Sequence, residues 1–220
     1  MCKVVVIGGK GTAVCLAEQI IDASTRYEHD VEFIGFCIDD EMLGKTINGY
    51  PILCKTNELK ERYDKYDDVK YLFCLYRPDK MKERTQLLYS YGISEGKFYT
   101  FIHPLSYISP SAKIGVGTSI FANTTIQSNV IIGKYNIINS NITIEHDTIV
   151  GDNNFLASNC SIGSEIKINN GTFIGLNSAI REKIVISDFS FVGMCSNIIK
   201  DVKSNTVVVG NPAKVIKKIC

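Results

Sequence analysis

The C-terminal half of the chain carries a hydrophobic residue at every sixth position. Sixteen aliphatic residues keep this interval without an insertion: Ile108, Ile114, Ile120, Ile126, Ile132, Ile138, Ile144, Val150, Leu156, Ile162, Ile168, Ile174, Ile180, Ile186, Val192 and Ile198. A six-residue period fits neither a 3.6-residue helix nor the two-residue alternation of a simple strand. The position after each aliphatic is mostly Gly, Ser, Asn or Ala, residues that tolerate sharp corners. The pattern therefore predicts a parallel β-helix, with one short strand per hexad and one core shared by stacked coils.

Residues 1–100 show a different pattern, in which strand-like apolar runs alternate with helical segments. The predicted elements are strands at Lys3–Ile7, Val31–Ile38 and Val69–Leu75, with helices near Ala13–Ile21 and Asp79–Ser90. This alternation predicts a small parallel α/β domain. We expect Phe98–Ile102 to close its sheet and His103-Pro104 to lead into the β-helix. The residues after about 205 are expected to pack back along the outside as a tail.

The length of 220 residues leaves room for this small domain and a β-helix of about five coils. Charges nearly cancel, at a formal +1, and no basic stripe or arginine-rich run is present. We therefore expect no nucleic-acid partner. No signal-peptide-like segment and no apolar run of about twenty residues is found, so we expect a soluble cytoplasmic protein without a membrane span.

Eight cysteines occur, without a CxxC pair and without a histidine at metal-ligand spacing. No metal site is predicted, and we expect the cysteines to be reduced and mostly packing residues. Cys160 occupies the fifth place of its hexad, where small residues recur. Core packing is therefore favoured over nucleophilic catalysis for this residue.

A glycine-rich turn, Gly8-Gly9-Lys10-Gly11, joins the first predicted strand to the first predicted helix. It lacks the third glycine of the dinucleotide fingerprint, so a nicotinamide cofactor has weak support. Free backbone N–H groups at a helix N-terminus still attract a phosphate or another anion. A tight turn that binds nothing is the alternative.

Three segments resemble those of a known family: VVVIGGKGTAV at 4–14, NSNITIEHD at 139–147 and VVVGNPAKVIKK at 207–218. With the hexads, they make nearly the whole chain similar to the PglD-like branch of the left-handed β-helix acyltransferases. That branch includes nucleotide-sugar N-acetyltransferases and sialic-acid O-acetyltransferases. The resemblance implies a Rossmann-like α/β domain at 1–103 that binds a nucleotide-sugar. It implies a left-handed β-helix at 104–220 that carries acyl transfer and ends in a coenzyme A-binding tail.

The activity implied by the resemblance is transfer of acetyl from acetyl-CoA to an amino group, at C4, of a nucleotide-linked amino-dideoxy sugar. His146 stands at the third place of its hexad, so its side chain should point away from the core. A neutral imidazole can accept the proton of an attacking amine, and Asp147 would orient the ring. Because the thioester is already activated, direct transfer suffices without a covalent intermediate. His29 and His103 are expected to be structural.

The remaining site residues come mostly from the resemblance. If one coil takes about 18 residues, Ser164 stacks one coil beyond His146, and its N–H or that of Gly163 could donate to the oxyanion. The implied substrate-binding residues are Gly9, Gly11, Thr12, Asp39, Asp40 and Asn139. The implied cofactor-binding residues are Gly163, Ser164, Leu176, Asn177, Gly193, Met194, Gly210, Pro212 and Lys214. The two aspartates would face the nucleotide base, although a solvated strand end is the alternative. The resemblance also implies a homotrimer with sites between subunits.

The chain departs from the family's pattern at three places. Thr12 stands where the glycine loop commonly carries a histidine, and Phe155 stands where a cofactor-side histidine is usual. Leu75-Tyr76-Arg77 replaces Ile-Gly-Asn at a strand end. Transfer chemistry needs none of these positions, so we expect the departures to change acceptor specificity.

Three other functions would each account for part of the sequence. An O-acetyltransferase acting on sialic acid or another sugar is the nearest, because His146 could equally deprotonate a hydroxyl. A β-helical carbonic anhydrase would need three converging histidines, and the predicted β-helix offers only His146. A non-catalytic sugar-sensing scaffold would leave the IEHD and GNPAK segments without a role.

Overall fold

The computed structural model describes residues 1–219 and consists of a small α/β unit followed by a three-sided prism. The α/β unit contains β1 Cys2–Ile7, α1 Thr12–Tyr27, β2 Val31–Cys37, β3 Thr46–Ile47, β4 Tyr50–Cys54, α2 Leu59–Tyr63, β5 Val69–Phe73 and α3 Met81–Ser90. Single 3₁₀ turns lie at Glu41–Leu43, Thr56–Glu58 and Glu95–Lys97. Among the helices of residues 1–219, none combines the length and the apolar character that a membrane span requires.

The strands of the α/β unit form one mixed sheet in the order β3-β4-β2-β1-β5. The strands β4, β2, β1 and β5 are parallel, while β3 is an antiparallel edge strand. The central strand β1 is buried from Val4 to Ile7 because both of its faces are covered. Helix α1 buries Ala13, Leu16 and Ile20 on one face, at the spacing expected of an amphipathic helix. The parallel order brings the glycine turn and the end of β2 to the same edge.

The prism is made of two-residue strands that recur at six-residue intervals. They are β6 Phe101–Ile102, β7 Tyr107–Ile108, β8 Lys113–Ile114, β9 Ser119–Ile120, β10 Thr125–Ile126, β11 Ile131–Ile132, β12 Ile137–Ile138, β13 Thr143–Ile144, β14 Ile149–Val150, β15 Phe155–Leu156, β16 Ser161–Ile162, β17 Lys167–Ile168, β18 Phe173–Ile174, β19 Ala179–Ile180, β20 Val185–Ile186, β21 Phe191–Val192 and β22 Asn197–Ile198. A hairpin of β23 Thr206–Gly210 and β24 Ala213–Lys218 follows.

Every third strand belongs to the same sheet. Sheet 1 contains β6, β9, β12, β15, β18, β21, β23 and β24; sheet 2 runs from β7 to β22 and sheet 3 from β8 to β20. Paired residues on neighbouring coils are 18 positions apart, as in Thr125 and Thr143. The sixteen hexads correspond to strands β7 to β22, which make about five coils of three strands each. This arrangement of parallel strands fits the predicted left-handed β-helix.

The core of the prism consists of the hexad aliphatics. Ile120, Ile126, Ile138 and Ile144 are fully buried, as are their counterparts on later coils. Each such side chain contributes about 1.5–3 kcal/mol when it leaves water. Because every coil supplies only three of them, a single coil is unstable and the stack is needed.

Sharp turns at the prism corners are made at the third position after each aliphatic. Asn141, Asp147 and Asn177 have φ of 61°, 59° and 56°, in the left-handed region that Asn and Asp tolerate best. The position directly after the aliphatic has another role. A Cβ on Gly175 would lie 2.6 Å from the Met194 nitrogen, so this residue is small because the coils stack closely. The prediction that it forms the sharp corner is wrong.

Two other expectations differ from the structure. Phe101–Ile102 pairs with β9 in the prism and does not close the α/β sheet, to which only Phe98 adds an isolated bridge with Tyr71. The C-terminal segment does not pack on the outside of the prism. Its strand β23 pairs in parallel with β21 and extends sheet 1, because the next coil's backbone donors and acceptors are open there.

The two units pack against each other through a shared hydrophobic cluster and buried hydrogen bonds. Tyr76, buried at the end of the α/β sheet, directs its hydroxyl to the Tyr135 carbonyl at 2.9 Å and to Asn153 Oδ1 at 3.0 Å. Gln19 of α1 accepts from the Ala122 N–H at 2.8 Å. These contacts fix the glycine turn and α1 relative to sheet 1 of the prism.

Candidate active site

His146 lies in the second corner of the prism, where the chain passes from sheet 2 to sheet 3. Its side chain is 54% exposed, as its outward place in the hexad predicted. The Nδ1 atom lies 2.8 Å from Oδ2 of Asp147. With the Asp147 carboxylate as acceptor, Nδ1 carries the proton and Nε2 keeps its lone pair. The arrangement leaves His146 able to accept a proton.

Asp147 is held from its other side by the coil below. Asn129, one coil earlier in register, donates from Nδ2 to Oδ1 of Asp147 at 3.0 Å. The hydrogen bond with His146, and secondly that with Asn129, lowers the pKa of the Asp147 carboxyl below its usual value. Asp147 is therefore anionic at neutral pH and fixes the orientation of the imidazole.

The backbone above His146 offers a free donor. The Glu165 N–H donates to the His146 carbonyl at 3.1 Å, which confirms that Ser164 stacks next to His146 on the following coil. Gly163 uses its N–H for the Ile180 carbonyl, at 3.0 Å. The Ser164 N–H has no acceptor within residues 1–219. Of the two amides predicted to serve an oxyanion, the structure leaves that of Ser164 available.

The glycine turn presents unused backbone donors at the start of α1. The N–H groups of Gly9, Lys10 and Gly11 have no acceptor in the described part of the chain. Gly11 is exposed and has a φ of +53°, which opens the turn. A Cβ on Gly9 would lie 2.8 Å from the Ile47 side chain, so Gly9 is also required for packing. A helix N-terminus with free amides favours an anion.

The two aspartates predicted to face the nucleotide base, Asp39 and Asp40, make hydrogen bonds within the protein. Asp39 accepts from both the N–H and the hydroxyl of Thr56, each at 2.7 Å. Asp40 accepts from Nζ of Lys10 at 2.5 Å, and this hydrogen bond lowers the pKa of the Asp40 carboxyl. Each carboxylate oxygen retains a further lone pair. Both residues border a cavity of about 220 Å³ at the edge of the α/β sheet.

A second cavity, of about 340 Å³, lies between the α/β unit and sheet 1. Its lining includes Thr12, Tyr76, Asn139, Phe155 and Leu176. Three predicted site residues, and a residue from each of the three departures from the family's pattern, therefore meet in one place. The Asn139 side chain donates to the Leu156 carbonyl at 2.8 Å, which anchors it at the cavity edge.

The floor of this cavity continues as an aromatic ladder along sheet 1. Phe155, Phe173 and Phe191 occupy equivalent places on successive coils, with ring centroids 5.3 and 5.0 Å apart and nearly parallel planes. Such spacing is within the favourable range for offset stacking. Phe155 is thus part of a structural stack and makes this wall of the cavity apolar.

The first corner, between sheets 1 and 2, collects most predicted cofactor residues. Leu176 and Met194 stand at equivalent places on consecutive coils and are 47% and 64% exposed. Asn177 forms the corner beside Leu176, while Gly193 is buried and would clash with Val209 if it carried a Cβ. The exposed apolar ridge of Leu176 and Met194 suits an aliphatic chain such as a pantetheine arm.

The closing GNPAK segment forms the turn between β23 and β24. Gly210 donates its N–H to Ser196 Oγ at 3.1 Å, which fastens the turn to the first corner. Pro212 and Lys214 are exposed there. Lys214 could reach a phosphate as a mobile point charge.

A third cavity, of about 620 Å³, lies on the outer face of sheet 2. It extends from Thr143 and Glu145, next to His146, past Gly163 and Arg181 to Asn211 of the GNPAK turn. Small side chains line its floor, because Ser161 and Ala179 stand at the outward places of β16 and β19. The groove connects the neighbourhood of His146 with the closing turn.

The predicted site residues therefore fall into separate places on one chain. His146, Asp147 and Ser164 lie at the second corner, whereas Asn139, Leu176 and Met194 lie at the first corner or beside it. Sheet 2 separates the two corners. Gly9, Gly11, Asp39 and Asp40 belong to the α/β unit, and Thr12 reaches the cavity at sheet 1.

Several residues that contact the predicted site residues or line these cavities were not predicted from the sequence. Lys10 links the glycine turn to Asp40, Asn129 holds Asp147, and Arg181 lines the groove on sheet 2. Asn129 could have been found from its spacing of 18 residues before Asp147. Lys10 and Arg181 carry no comparable signal, because lysines and arginines are common on surfaces.

The other histidines and the cysteines have structural environments. Nε2 of the buried His103 lies 3.1 Å from Asp22, and His29 contacts the Tyr99 hydroxyl. Cys160 is buried against two backbone carbonyls, and burial raises the pKa of its thiol to about 11. Cys220 lies outside the described residues. Within residues 1–219, no group of three or more His, Cys, Asp or Glu side chains is placed to hold a metal ion.

Comparison with known proteins gives several similar proteins. No protein-family model matches the chain. GDP-perosamine N-acetyltransferase of Escherichia coli O157:H7 is 27% identical over 117 residues, which are 53% of this chain and 50% of that protein. The match thus spans about half the length of this relative.

Solved structures resemble nearly the whole chain. The acetyltransferase domain of PglB from Neisseria gonorrhoeae FA1090 superposes with a TM-score of 0.84 at 23% identity, covering 98% of this chain and 100% of that one. The same domain in complex with acetyl coenzyme A gives 0.71 at 25% identity, with 97% and 98% covered. A mutant perosamine N-acetyltransferase from Caulobacter crescentus, in complex with CoA and GDP-perosamine, gives 0.80 at 20% identity, with 99% and 98% covered. The predicted resemblance is confirmed, and the fold is shared over both units.

Proposed function

We propose that this protein transfers the acetyl group of acetyl-CoA to the amino group, at C4, of a nucleotide-linked amino-dideoxy sugar. The observation that carries this proposal is the chain of hydrogen bonds from Asn129 through Asp147 to His146, with the free Ser164 N–H on the next coil. A proton acceptor and an oxyanion donor at one exposed corner are the groups that acyl transfer requires. The similar proteins named above support the donor and the acceptor class.

The reaction follows from the orientation of His146. Nδ1 donates its proton to Asp147, so Nε2 takes the proton that the acceptor amine loses as it attacks the thioester carbonyl. Asp147 stabilises the imidazolium that results. The Ser164 N–H stabilises the oxyanion of the tetrahedral intermediate, which collapses when the coenzyme A thiolate leaves. The thiolate then takes up the proton held by His146.

The two units divide the binding of substrate and cofactor. Residues 1–103 hold the nucleotide-sugar, with its phosphates at the free amides of Gly9 and Gly11 and its sugar toward Thr12 and Asn139. Residues 104–220 hold acetyl-CoA along Leu176, Met194 and the closing turn. Asp39 and Asp40 face the nucleotide base through their remaining lone pairs.

A complete site takes residues from two subunits of a homotrimer. Within one chain, sheet 2 separates His146 from the acceptor cavity at Asn139 and Leu176. In the trimer, the second corner of one prism lies against the first corner of its neighbour. This brings His146 of one subunit to the acceptor cavity of the next. Light scattering should report a trimer, and an active monomer would contradict shared sites.

Mixing of inactive variants tests the shared site directly. His146→Ala removes the base, and Leu176→Trp fills the acceptor cavity without touching His146. Mixed trimers contain some sites with both groups intact, so part of the activity should return after verified subunit exchange. No return of activity would place the whole site within one chain.

The acceptor is tested with purified protein and acetyl-CoA. UDP-, dTDP- and GDP-linked 4-amino-4,6-dideoxy sugars are compared with free sialic acid, and the product is examined by NMR for an amide or an ester. Amide formation at C4 on a nucleotide-linked sugar supports the proposal. Ester formation on a free sugar would instead make the protein an O-acetyltransferase and leave the α/β cavity without its proposed ligand.

A further inference from the structure

Two free cysteines lie side by side at the ends of neighbouring strands in the α/β unit. Cys37 is the last residue of β2 and Cys54 the last of β4, and the two are direct register partners in the parallel pair. Both side chains are buried, at 0% and 7% exposure. Their sulfur atoms lie 3.2 Å apart and share a thiol hydrogen bond.

The strand ends that carry this pair also carry a predicted substrate residue. Asp39, two positions after Cys37, accepts both hydrogen bonds from Thr56, two positions after Cys54. The Ile38 N–H donates to the Cys54 carbonyl at 3.2 Å. The Asp39–Thr56 bonds therefore lie directly beyond the cysteine pair, on the ends of the same two strands.

Small molecules can approach the pair from one side. Cys54 lines the 220 Å³ cavity with Asp39, Asp40 and Lys55, whereas Cys37 lies behind it. The hydrogen bond from Cys37, helped by the charge of Arg62, lowers the pKa of the Cys54 thiol. The same hydrogen bond and burial raise the pKa of Cys37. Cys54 is thus the more nucleophilic sulfur and the one closer to solvent.

We propose that Cys37 and Cys54 are a dithiol that hydrogen peroxide converts to a disulfide, and that the disulfide weakens binding at the Asp39–Asp40 edge. The identity of the affected ligand rests on the proposed function, in which this edge holds the nucleotide-sugar. The chemical modification does not rest on it, because it depends only on the two sulfurs and their access.

The oxidation balances in two steps. The Cys54 thiolate attacks a peroxide oxygen, the O–O bond breaks, and hydroxide leaves to become water, so Cys54 becomes a sulfenic acid. The Cys37 sulfur then attacks the Cys54 sulfur, the S–O bond breaks, and a second water leaves with the thiol proton. Two thiols and one peroxide give one disulfide and two waters, and a dithiol reductant reverses the change.

The backbone geometry permits this bond. Neighbouring strands lie about 4.7–4.9 Å apart, within the roughly 4.4–6.8 Å that disulfides span between Cα atoms. Bond formation brings the sulfurs about 1 Å closer than they are as thiols. We expect this movement, made at the two strand ends, to shift Asp39 against Thr56.

The first experiment detects the bond in the full-length protein. Peroxide-treated and untreated samples are alkylated, digested without reduction and examined by mass spectrometry. We expect a peptide containing Cys37 linked to one containing Cys54, which disappears after dithiothreitol. Cys15→Ser, which removes an exposed thiol elsewhere, should still form it, and Cys54→Ser should not. Absence of the linked peptide, under conditions that oxidise Cys15, would overturn the proposal.

The second experiment measures the consequence at the cavity edge. Hydrogen exchange of the oxidised protein should change at residues 38–44 and 54–58 and stay constant in the prism. The acceptor KM should rise several-fold while the acetyl-CoA KM is unchanged, with full reversal by dithiothreitol and no effect in Cys37→Ser or Cys37→Ala. A disulfide that leaves exchange at this edge unaltered would refute the coupling. If no acceptor reacts with reduced protein, the proposed function fails while the linked peptide and the exchange data still decide this proposal.

Discussion

The α/β unit and the prism carry their candidate functional residues in different ways. In the prism, almost every position repeats on the coil above and below, so a residue that the repeat does not need stands out. His146 is such a residue, since Ser128, Ser164, Glu182 and Lys200 fill the same corner place on other coils. In the α/β unit, Asp39 and Gly9 serve folding and candidate binding at once. In the repeat, the residues needed for folding differ from the candidate functional residues. In the irregular α/β unit, the same residues serve both purposes.

Removal of the base gives the largest effect expected from this comparison. His146→Ala should lower kcat by roughly 10²–10⁴-fold while coenzyme A binding stays close to normal, since the prism does not need the imidazole for packing. Steady-state kinetics and calorimetry with coenzyme A measure the two quantities. Glu182→Ala, at the same corner place two coils on, is the matched control and should retain activity. Near-normal turnover of a folded His146→Ala protein would remove the assignment, and Asp147→Asn should do less harm.

A change in the glycine turn should affect the acceptor alone. Gly11→Asn places a side chain over the free amides; at φ +53° and ψ −117° it also strains the backbone, but less than the β-branched side chain of Gly11→Val. Loss of a charge-assisted hydrogen bond costs about 1.5–3 kcal/mol, so the acceptor KM should rise roughly 10- to 100-fold with the acetyl-CoA KM unchanged. Equal loss of both affinities in Gly11→Asn would mean that the turn only supports the fold.

The contact between the two units is the next test. Tyr76→Phe keeps the ring but leaves the Tyr135 carbonyl and Asn153 Oδ1 without their buried donor. We expect a loss of about 1–3 kcal/mol in the free energy of unfolding, measured with urea at neutral pH. Tyr66→Phe, an exposed tyrosine of the same unit, should be neutral. An unchanged stability would indicate that the units are held by apolar packing alone.

The smallest effect concerns the support of Asp147. Asn129→Ala removes one of the two hydrogen bonds that stabilise the carboxylate, so the pKa of Asp147 should rise toward its ordinary value near 3.8 while remaining lowered by His146. Because the folded pKa lies below the unfolded one, this carboxylate stabilises the fold above the unfolded pKa. The contribution is lost as the pH falls through the folded pKa, and less of it remains in Asn129→Ala. Carbon NMR of the labelled carboxyl measures the shift, and an identical titration in both proteins would contradict the role of Asn129.

The prism was predicted well because the aliphatic residue at every sixth position marks each strand. It also shows which side chains of that strand point into the core. Ile144 being buried places His146 two positions later on the outer corner, and the interval of 18 residues places Ser164 above it. The residue that makes the sharp corner was misplaced by two positions. Gly175 and Asp147 are both turn formers by composition, and only the stacking of coils shows which of the two roles each one has.

For the α/β unit, the order of strands and helices could be predicted from the sequence, but few of its side-chain contacts could. Its strands and helices alternate in the predicted order, but Phe101–Ile102 pairs with β9 of the prism and not with the α/β sheet. The bonds of Asp39 to Thr56 and of Lys10 to Asp40 join residues 17 and 30 positions apart. No local pattern signals such pairs, since neither partner needs the other for its own secondary structure.

The sequence by itself determined the repeat, the core of the prism, the outward place of His146 and its neighbour Asp147. These follow from periodicity, because each depends only on the distance along the chain from a buried aliphatic. The tertiary structure alone decided which backbone amide near His146 is free and which side chains line each cavity. Those facts depend on which distant groups use up a donor or fill a space, and chain distance does not specify them.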